Sequence, residues 1–375
     1  MSVDTRSNKK LPMAITTPRT NYYGLILAGG RGTRFWPRSR KAKAKQVLNF
    51  FGERSLIQQT ADRLRPLLPP ERIWILTNEH LKDEISRQLP EVPKRQIIAE
   101  PAQRNTGPAI ALACHMIQSL DPGAVLGIFP ADQIITRPAV YLRAVRPAFR
   151  AASQGEMVVL GIKPRYPETG FGYIEFPKRT AFGNLETVAI SRFCEKPDLA
   201  TAKKFLKAGN YYWNAGMFFW QASRLLEAFD RHLPKTSKLI RGLPPFLSPE
   251  FYPELGRVFP LCEDISIDYA VLEKEPGVLG VPAPDFGWND VGSWNAVYDL
   301  QKHDADGNAT RGEAIFNASK GNYVDAPGKL VAMLGCDNLV VVDTPDALLV
   351  LNRDQAQNVG QIVKQLEKLR RDSLL

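Results

Sequence analysis

Along the first half of the chain, short continuous apolar runs alternate with longer stretches whose apolar residues return at helical spacing. Leu25-Ile26-Leu27 reads as a buried strand that breaks at once into Ala28-Gly29-Gly30-Arg31-Gly32-Thr33-Arg34. Residues 55–68 place Leu56, Ile57, Leu64, Leu67 and Leu68 on a helix that Pro69-Pro70 stops. Strands at 72–77 and 96–99 enclose a helix that Asn78 caps and that ends near Leu89. The spacing then predicts a helix over 109–120, with Thr106 as N-cap and Pro108 in its first turn, and a strand over 124–129. Such alternation implies right-handed crossovers and an α/β fold with a mostly parallel, Rossmann-like sheet flanked by helices. Ligands of such sheets sit at the carboxyl ends of the strands.

The second half changes character. A strand at 157–162 leads into a glycine-containing, aromatic, hairpin-like segment at 166–175, and a strand ending at Phe193-Cys194 opens a helix over 199–207. The aromatic run from Tyr211 to Trp220 is expected to be mostly core, with Asn214 and Gly216 as polar or backbone-exposing exceptions. Ser266 is placed to cap a further helix, and another begins near Ser293. Past Lys302 come short strands at 312–315, 322–325, 330–334, 339–342 and 347–351, then a helix over 354–371. The expected organisation is therefore a disordered basic tail at 1–20, a catalytic domain at 21–302 and a small β-rich module ending in a helix at 303–375.

The net charge of +10 alters this picture only locally, because residues 1–50 hold eleven Lys or Arg against Asp4 while the remaining 38 basic and 38 acidic residues cancel. A nucleic-acid groove needs basic residues spread along a surface, so no nucleic-acid partner is expected. No apolar run approaches a membrane span, and the tail lacks the apolar core of a signal peptide, so no membrane association is expected. Cys114, Cys194, Cys262 and Cys336 form no CxxC or Cys/His cluster, which fits a reducing cytoplasm.

Three glycines within four positions let the main chain turn tightly and bring bare amides close to a ligand. Arg31, Arg34, Arg38, Arg40, Lys41, Lys43 and Lys45 follow or interleave with no acidic residue, so the expected ligand is polyanionic. The loop is neither a P-loop nor a dinucleotide fingerprint, since GxxxxGK[ST] is absent and Phe35 stands where a third glycine belongs. Asp132, just past a predicted strand, reads from its position either as a magnesium ligand or as a turn or cap aspartate. Glu100-Pro101-Ala102-Gln103-Arg104-Asn105-Thr106 leads into a helix N-terminus, where it reads a purine edge, holds phosphate, or merely caps the helix. Glu195-Lys196 before Pro197 reads, unaided, as solvated surface.

The run Leu27-Ala-Gly-Gly-Arg-Gly-Thr-Arg-Phe-Trp-Pro-Arg-Ser-Arg40 with Lys45-Gln46 resembles the signature of sugar-1-phosphate nucleotidyltransferases, and its Phe-Trp-Pro-x-Ser-Arg portion that of mannose-1-phosphate guanylyltransferases. The resemblance extends through Glu100 to Thr106, Pro130-Ala131-Asp132-Gln133, Gly170 to Ile174, Glu195-Lys196-Pro197, Trp213-Asn214 to Phe218, Ser266 to Tyr269 and Gly287 to Trp294. Relatives usually carry Pro where Ala44 stands, His for Gln133, Tyr for Phe171 and Ala for Gly107. It implies the nucleotide-diphospho-sugar transferase fold with a β-helix-like C-terminal module that mediates a homodimer. It implies that Ala28, Gly29, Gly30, Gly32, Thr33, Arg34, Lys45, Glu100, Pro101, Arg104, Asn105 and Thr106 bind nucleotide. Gly172, Glu195, Lys196 and Asn214 would bind the sugar phosphate, and Asp132 and Asp290 would hold Mg²⁺ or another divalent cation. Arg34, Lys45, Asp132 and Lys196 would carry catalysis.

The reaction so implied is GMP transfer from GTP to mannose 1-phosphate. Other readings are a nucleotidyltransferase for another hexose 1-phosphate and a catalytically silent sugar-nucleotide-binding regulatory subunit. No cupin domain of the bifunctional relatives appears in the sequence, so isomerase activity is not expected.

Overall fold

Leu25 and Ile26 point to opposite faces of one strand and both are fully buried, so that strand has to be covered on both sides. The computed structural model describes residues 21–30 and 32–375; the basic tail at 1–20 and Arg31 lie outside the described residues. Strand β1 (Tyr22–Leu27) lies between β2 (Ile73–Asn78) and β4 (Val125–Pro130), and β3 (Ile97–Glu100) pairs the far side of β2, all parallel. Helices α1 (Leu56–Leu64), α2 (Glu79–Gln88) and α4 (Pro138–Ser153) pack on one face through Ile26, Ile75 and Phe129. Helix α3 (Thr106–Leu120) and the helix Ala222–His232 cover the other through Leu25, Leu126 and Ile128. Asn78 caps α2 by accepting from Leu81 N, as expected, and Ser55 caps α1 in a full capping box with Gln58.

Beyond β4 the sheet grows to ten strands, and its continuation is mixed. The long strand Tyr211–Gln221 is antiparallel both to β4 and to Val158–Ile162, and Val158–Ile162 is in turn parallel to Leu279–Pro282. A continuous apolar run reports burial but not direction, so this reversal was not legible in the pattern. The expected hairpin at 166–175 is instead one strand, Tyr173–Glu175, which pairs Arg192–Cys194 and Tyr211–Trp213. The Ser266 segment forms a single π-helical turn, Asp268–Leu272.

The C-terminal module consists of Ala309–Asn317, Tyr323–Leu334 and Leu339–Thr344, parallel as in a β-helix, closed by the antiparallel strand Ala347–Asn352. Two of the expected strands, at 322–325 and 330–334, are one strand with a register shift where Pro327-Gly328 intervene. The expected terminal helix is a 3₁₀ stretch, Arg353–Val359, followed by an α-helix, Gly360–Lys368. No helix among the described residues is long and apolar enough to cross a membrane.

This module does not hang free. Phe35, Trp36, Leu48, Phe50 and Trp294 share one apolar cluster with Tyr323, Val340, Val342, Leu349, Val359 and Val363. Around it, Arg38 Nη1 donates to Asp325 Oδ2 (2.9 Å), Arg40 Nη2 to Asp346 Oδ1 (3.0 Å), and Trp36 Nε1 to the Leu374 carbonyl (2.9 Å). The reading of the whole basic run as ligand-facing charge is thus corrected for Arg38 and Arg40, which spend their charge on carboxylates of the module.

The Asp325 side chain is fully buried and Arg38 is 12% exposed. Removing one partner of such a pair strands the other charge, so Asp325→Ala is expected to destabilise the chain by about 3–5 kcal/mol in a denaturant titration. The double change Arg38→Met, Asp325→Leu is expected to cost much less. A single variant within about 1 kcal/mol of wild type would show that the pair does not tie the module down.

Candidate active site

Where β1 ends, the loop carbonyls are tied inward. Gln46 Nε2 donates to Ala28 O (2.6 Å) and Gly30 O (3.0 Å), Thr77 Oγ1 to Ala28 O (3.0 Å), and Asn78 Nδ2 to Gly29 O (3.5 Å). With its acceptors so committed, the glycine loop turns its amide edge to the site, which suits an anion. Gly32 lies at φ 63, and a Cβ there would come within 2.6 Å of Lys45 Cβ and 2.8 Å of Lys45 N. The glycine is therefore required for Lys45 to approach the loop. Thr33 and Arg34 are exposed beside it, and Arg34 Nη1 donates to Gln357 Oε1 of the C-terminal module at 2.9 Å.

Lys45 is the node of the cluster. Its side chain is 8% exposed, and its ammonium pairs with Asp132 Oδ2 at 3.0 Å and donates to the Asp290 carbonyl. Asp132 stands just beyond β4 and is 44% exposed. The Asp290 carboxyl lies against Gly292, where a Cβ would meet Asp290 Oδ2 at 2.9 Å and Arg34 Nη1 at 3.6 Å. Burial raises the Asp290 pKa above the usual aspartate range, the Asp132 charge adds to this, and Lys45 and Arg34 oppose it. The structure thus brings together Lys45, Asp132, Asp290 and Arg34. Two carboxylates, one of them desolvated, form a donor set of the kind that Mg²⁺ takes when substrate phosphates supply further oxygens. Among the described residues no third His, Cys, Asp or Glu joins them.

Gln133, where relatives carry His, is satisfied at both ends. Its Nε2 donates to Ala215 O (2.9 Å) and its Oε1 accepts from Trp288 Nε1 (3.0 Å), which fixes the turn that presents Asp132. The buried Arg63 supports the same turn by donating to Gln133 O at 3.0 Å, and burial lowers its pKa to about 10. Arg63 was not singled out by residue type, because it sits in an ordinary amphipathic helix, and Gln46 was visible only as part of the Lys45-Gln46 motif.

Glu100 ends β3 and faces the loop, its Oε1 being 3.6 Å from where a Gly29 Cβ would stand. Burial pushes its pKa up to about 8. In the segment that follows, Pro101 and Asn105 are exposed, whereas Arg104 donates through Nε (2.9 Å) and Nη2 to Pro260 O and is held against the helical layer. The expected N-cap is displaced by one residue. Asn105, at φ 62, caps α3 by accepting from Thr106 N, while Thr106 Oγ1 instead accepts from Ile267 N at 3.0 Å. Asn tolerates this left-handed backbone better than Thr, whose branched Cβ resists it.

The remaining predicted residues form a second cluster. Gly172 O accepts from Asn214 N (2.8 Å), a Cβ at Gly172 would collide with Glu195 Oε2, and Lys196 Nζ pairs with Glu195 Oε1 at 3.2 Å. Glu195 is not solvated surface, since its side chain is 7% exposed; Lys196 is, at 52%. Lys196 (φ 46) and Val291 (φ 47) both adopt left-handed backbone beside candidate ligand groups. The two clusters meet at the bulge around Gly216, at φ 68, where a Cβ would lie 3.4 Å from Pro130 and 3.8 Å from Gln133 Nε2.

Residues 23–307 match the nucleotidyl transferase family, and residues 312–366 match the MannoseP isomerase/GMP-like beta-helix domain. The xanthan biosynthesis protein XanB of Xanthomonas campestris is 40% identical over 347 residues, which cover 92% of this chain and 73% of that protein. A mannose-1-phosphate guanylyltransferase of Escherichia coli is 37% identical over 351 residues, covering 92% and 74%. A crystal structure from Thermus thermophilus, described as a mannose-1-phosphate geranyltransferase, superposes with a TM-score of 0.82 at 33% identity, covering 93% of this chain and all of that one. The glycine loop, Lys45 and both clusters all fall within the first matched region, and the chain belongs to the nucleotidyl transferase family, with a C-terminal GMP-like β-helix domain.

Proposed function

We propose that the chain transfers GMP from GTP to α-D-mannose 1-phosphate, giving GDP-mannose and pyrophosphate. The observation that carries this reading is the convergence of the glycine loop, Lys45, Asp132 and Asp290 beside a separate polar pocket of Gly172, Glu195, Lys196 and Asn214. The names borne by the relatives agree with it. A sugar phosphate is already ionised near neutral pH, so its attacking oxygen needs no general base. That oxygen forms a bond to the α-phosphorus as the bond to the β-phosphate bridging oxygen breaks, and pyrophosphate leaves with the electron pair. The obstacle is the approach of two anions, which positioning and charge neutralisation relieve.

Each residue then has a task. The amides of Gly29, Gly30, Gly32 and Thr33, with Arg34 and Lys45, hold the triphosphate; Glu100 accepts from the base, with Pro101, Arg104, Asn105 and Thr106 bordering it. Lys196 holds the acceptor phosphate, and Glu195 and Asn214 the sugar hydroxyls. Asp132 and Asp290 are the residues that would hold Mg²⁺ or another divalent cation, which would supply charge neutralisation at the phosphates. The setting is the cytoplasm, to which four free thiols are suited. The protein acts as a homodimer through its C-terminal module, whose sheet carries the exposed apolar side chains Ile315, Leu330, Leu334, Leu348 and Val350.

Pyrophosphate release from a matrix of four nucleoside triphosphates against several sugar 1-phosphates tests the reaction. GTP with mannose 1-phosphate is expected to be fastest; a faster different pair would reassign the substrate, and no release with any pair would favour a silent binding subunit. For the metal, Asp132→Asn and Asp290→Asn are each expected to weaken Mg²⁺-dependent turnover by on the order of 10² or more, with the double variant losing far less than both combined, because parts of one unit are not additive. Fully additive losses would divide the two aspartates between separate roles. For the assembly, analytical ultracentrifugation of Leu348→Glu, Val350→Glu is expected to convert a dimer to a folded monomer. An unchanged dimer would place the interface elsewhere.

A further inference from the structure

The segment from Ile265 to Asp268 has no part in the nucleotide loop, yet it is fastened on both sides. Gly107 N donates to Ile265 O (3.0 Å) and Ile267 N to Thr106 Oγ1 (3.0 Å), so the first turn of α3 holds it from the nucleotide side. A Cβ at Gly107 would come within 2.6 Å of Ile265 O. From the other side, Asn214 Nδ2 donates to Asp268 Oδ1 at 2.9 Å. Asp268 opens the π-helical turn Asp268–Leu272, a local widening that recurs at functional sites.

Glu195, in the same pocket, is incompletely satisfied. Its Oε1 meets Lys196, but its Oε2 is buried without a hydrogen-bond partner. A buried carboxylate oxygen with no donor is costly, and a ligand hydroxyl would relieve that cost. Asn214 is fixed in orientation, since its Oδ1 accepts from Gly216 N (3.0 Å) while one N–H goes to Asp268, leaving the second N–H for a ligand.

We propose that Asp268 is a positioning residue of the acceptor subsite, which aims the Asn214 amide and backs the Glu195 carboxyl so that the three together read the hydroxyls of a hexose 1-phosphate. This rests on the GDP-mannose reading for the identity of the acceptor, but not for the carboxyl pair itself. Burial pushes Glu195 up to about 7, the Asp268 charge adds to that, and burial pushes Asp268 up to about 6. Lys196 opposes both shifts. Glu273, whose Oε1 accepts from Glu195 N, also faces the pair, with Cys194 and Arg192 beside it.

The sign follows from these directions. With one proton between them the two carboxyls can donate and accept, as a hydroxyl also does; once both ionise, above a pH of about 7, they repel each other and an incoming anionic sugar phosphate. Acceptor binding is strong below that pH and fades as pH rises through it.

The experiment measures KM for mannose 1-phosphate and for GTP between about pH 6.5 and 8.5 in wild type, Asp268→Asn and Glu195→Gln. In wild type the acceptor KM is expected to rise roughly twentyfold as one proton with a pKa of about 7 is lost across that range, whereas the GTP KM changes only as Glu100 titrates, in wild type and both variants alike. Asp268→Asn keeps an acceptor for Asn214 but removes the charge, so the profile should flatten; Glu195→Gln should flatten it too and serves if the first variant fails to fold. A wild-type acceptor profile surviving in both variants, or a GTP profile that flattens in them together with the acceptor profile, overturns the proposal. Infrared titration of the ligand-free protein supplies a readout independent of turnover. Beside the Glu100 carboxyl, which titrates in wild type and both variants, one further carboxyl titrating near neutrality in wild type and lost in each variant is expected; its absence in wild type overturns the pair. Intact titration with no sugar 1-phosphate turned over would sink the reaction reading and leave the pair supported.

Discussion

An ammonium withdrawn from water has to be paired, and the way Lys45 meets that demand sets the geometry of everything around it. Its partners come from two places far apart in sequence, the Asp132 carboxylate and the Asp290 carbonyl. Gly32 leaves the space through which the glycine loop closes on it. Of the three N–H donors of an ammonium, these two acceptors occupy two, and the third is free for an incoming oxygen. The Asp132 side of the cluster is open, at 44% exposed, so the charge is held from within and offered outward. Because the lysine is pinned by both strand ends, little ordering of its long side chain remains to be done when an anion arrives.

The C-terminal module enters the same argument from below. Phe35 and Trp36 follow the glycine loop directly and sit in a cluster whose other half belongs to the module. Arg38 and Arg40 then tie that junction to Asp325 and Asp346, and Gln357 reaches Arg34 itself. A loop rich in glycine has large conformational freedom to lose. Here that freedom is restricted immediately downstream by buried aromatic packing and a buried ion pair, so the module is part of what shapes the site.

Much of this was legible in the sequence, for a definite reason. Strands buried on both faces leave unbroken apolar runs, and β1 to β4 with their intervening helices were read from that pattern, β2 to β4 and α2 within about a residue and β1, α1 and α3 within three or four residues at one end. The glycine loop and Lys45 were visible because bare backbone and clustered charge are written locally. The fates of Arg38 and Arg40 were not, since their partners lie 287 and 306 residues away and a charge carries no mark of which distant carboxylate it will meet. Arg63 was hidden likewise, a single polar residue whose meaning comes from packing, and the motifs that hold Gln46 and Asp268 did not show what those two side chains support. The direction of Tyr211–Gln221 was equally silent, for direction depends on connection and not on composition.

Three of the non-glycine residues with left-handed backbone, Asn105, Lys196 and Val291, lie beside groups assigned to the base, the acceptor phosphate and the metal. Such conformations cost on the order of 1–3 kcal/mol each and persist only where the surroundings over-determine them. Those surroundings can be named. Asn105 is held by the start of α3, Lys196 by its N–H to Phe171 O, and the fully buried Val291 by its N–H to Asn289 Oδ1 at 2.7 Å. These restraints are local, made within the same loops that border the ligand groups. The nucleotide and acceptor clusters also share a rigid boundary, the bulge from Asn214 to Gly216 pressed against Pro130 and Gln133. A displacement of one cluster must therefore be felt in the other, which is what a reaction between two bound anions requires of its scaffold.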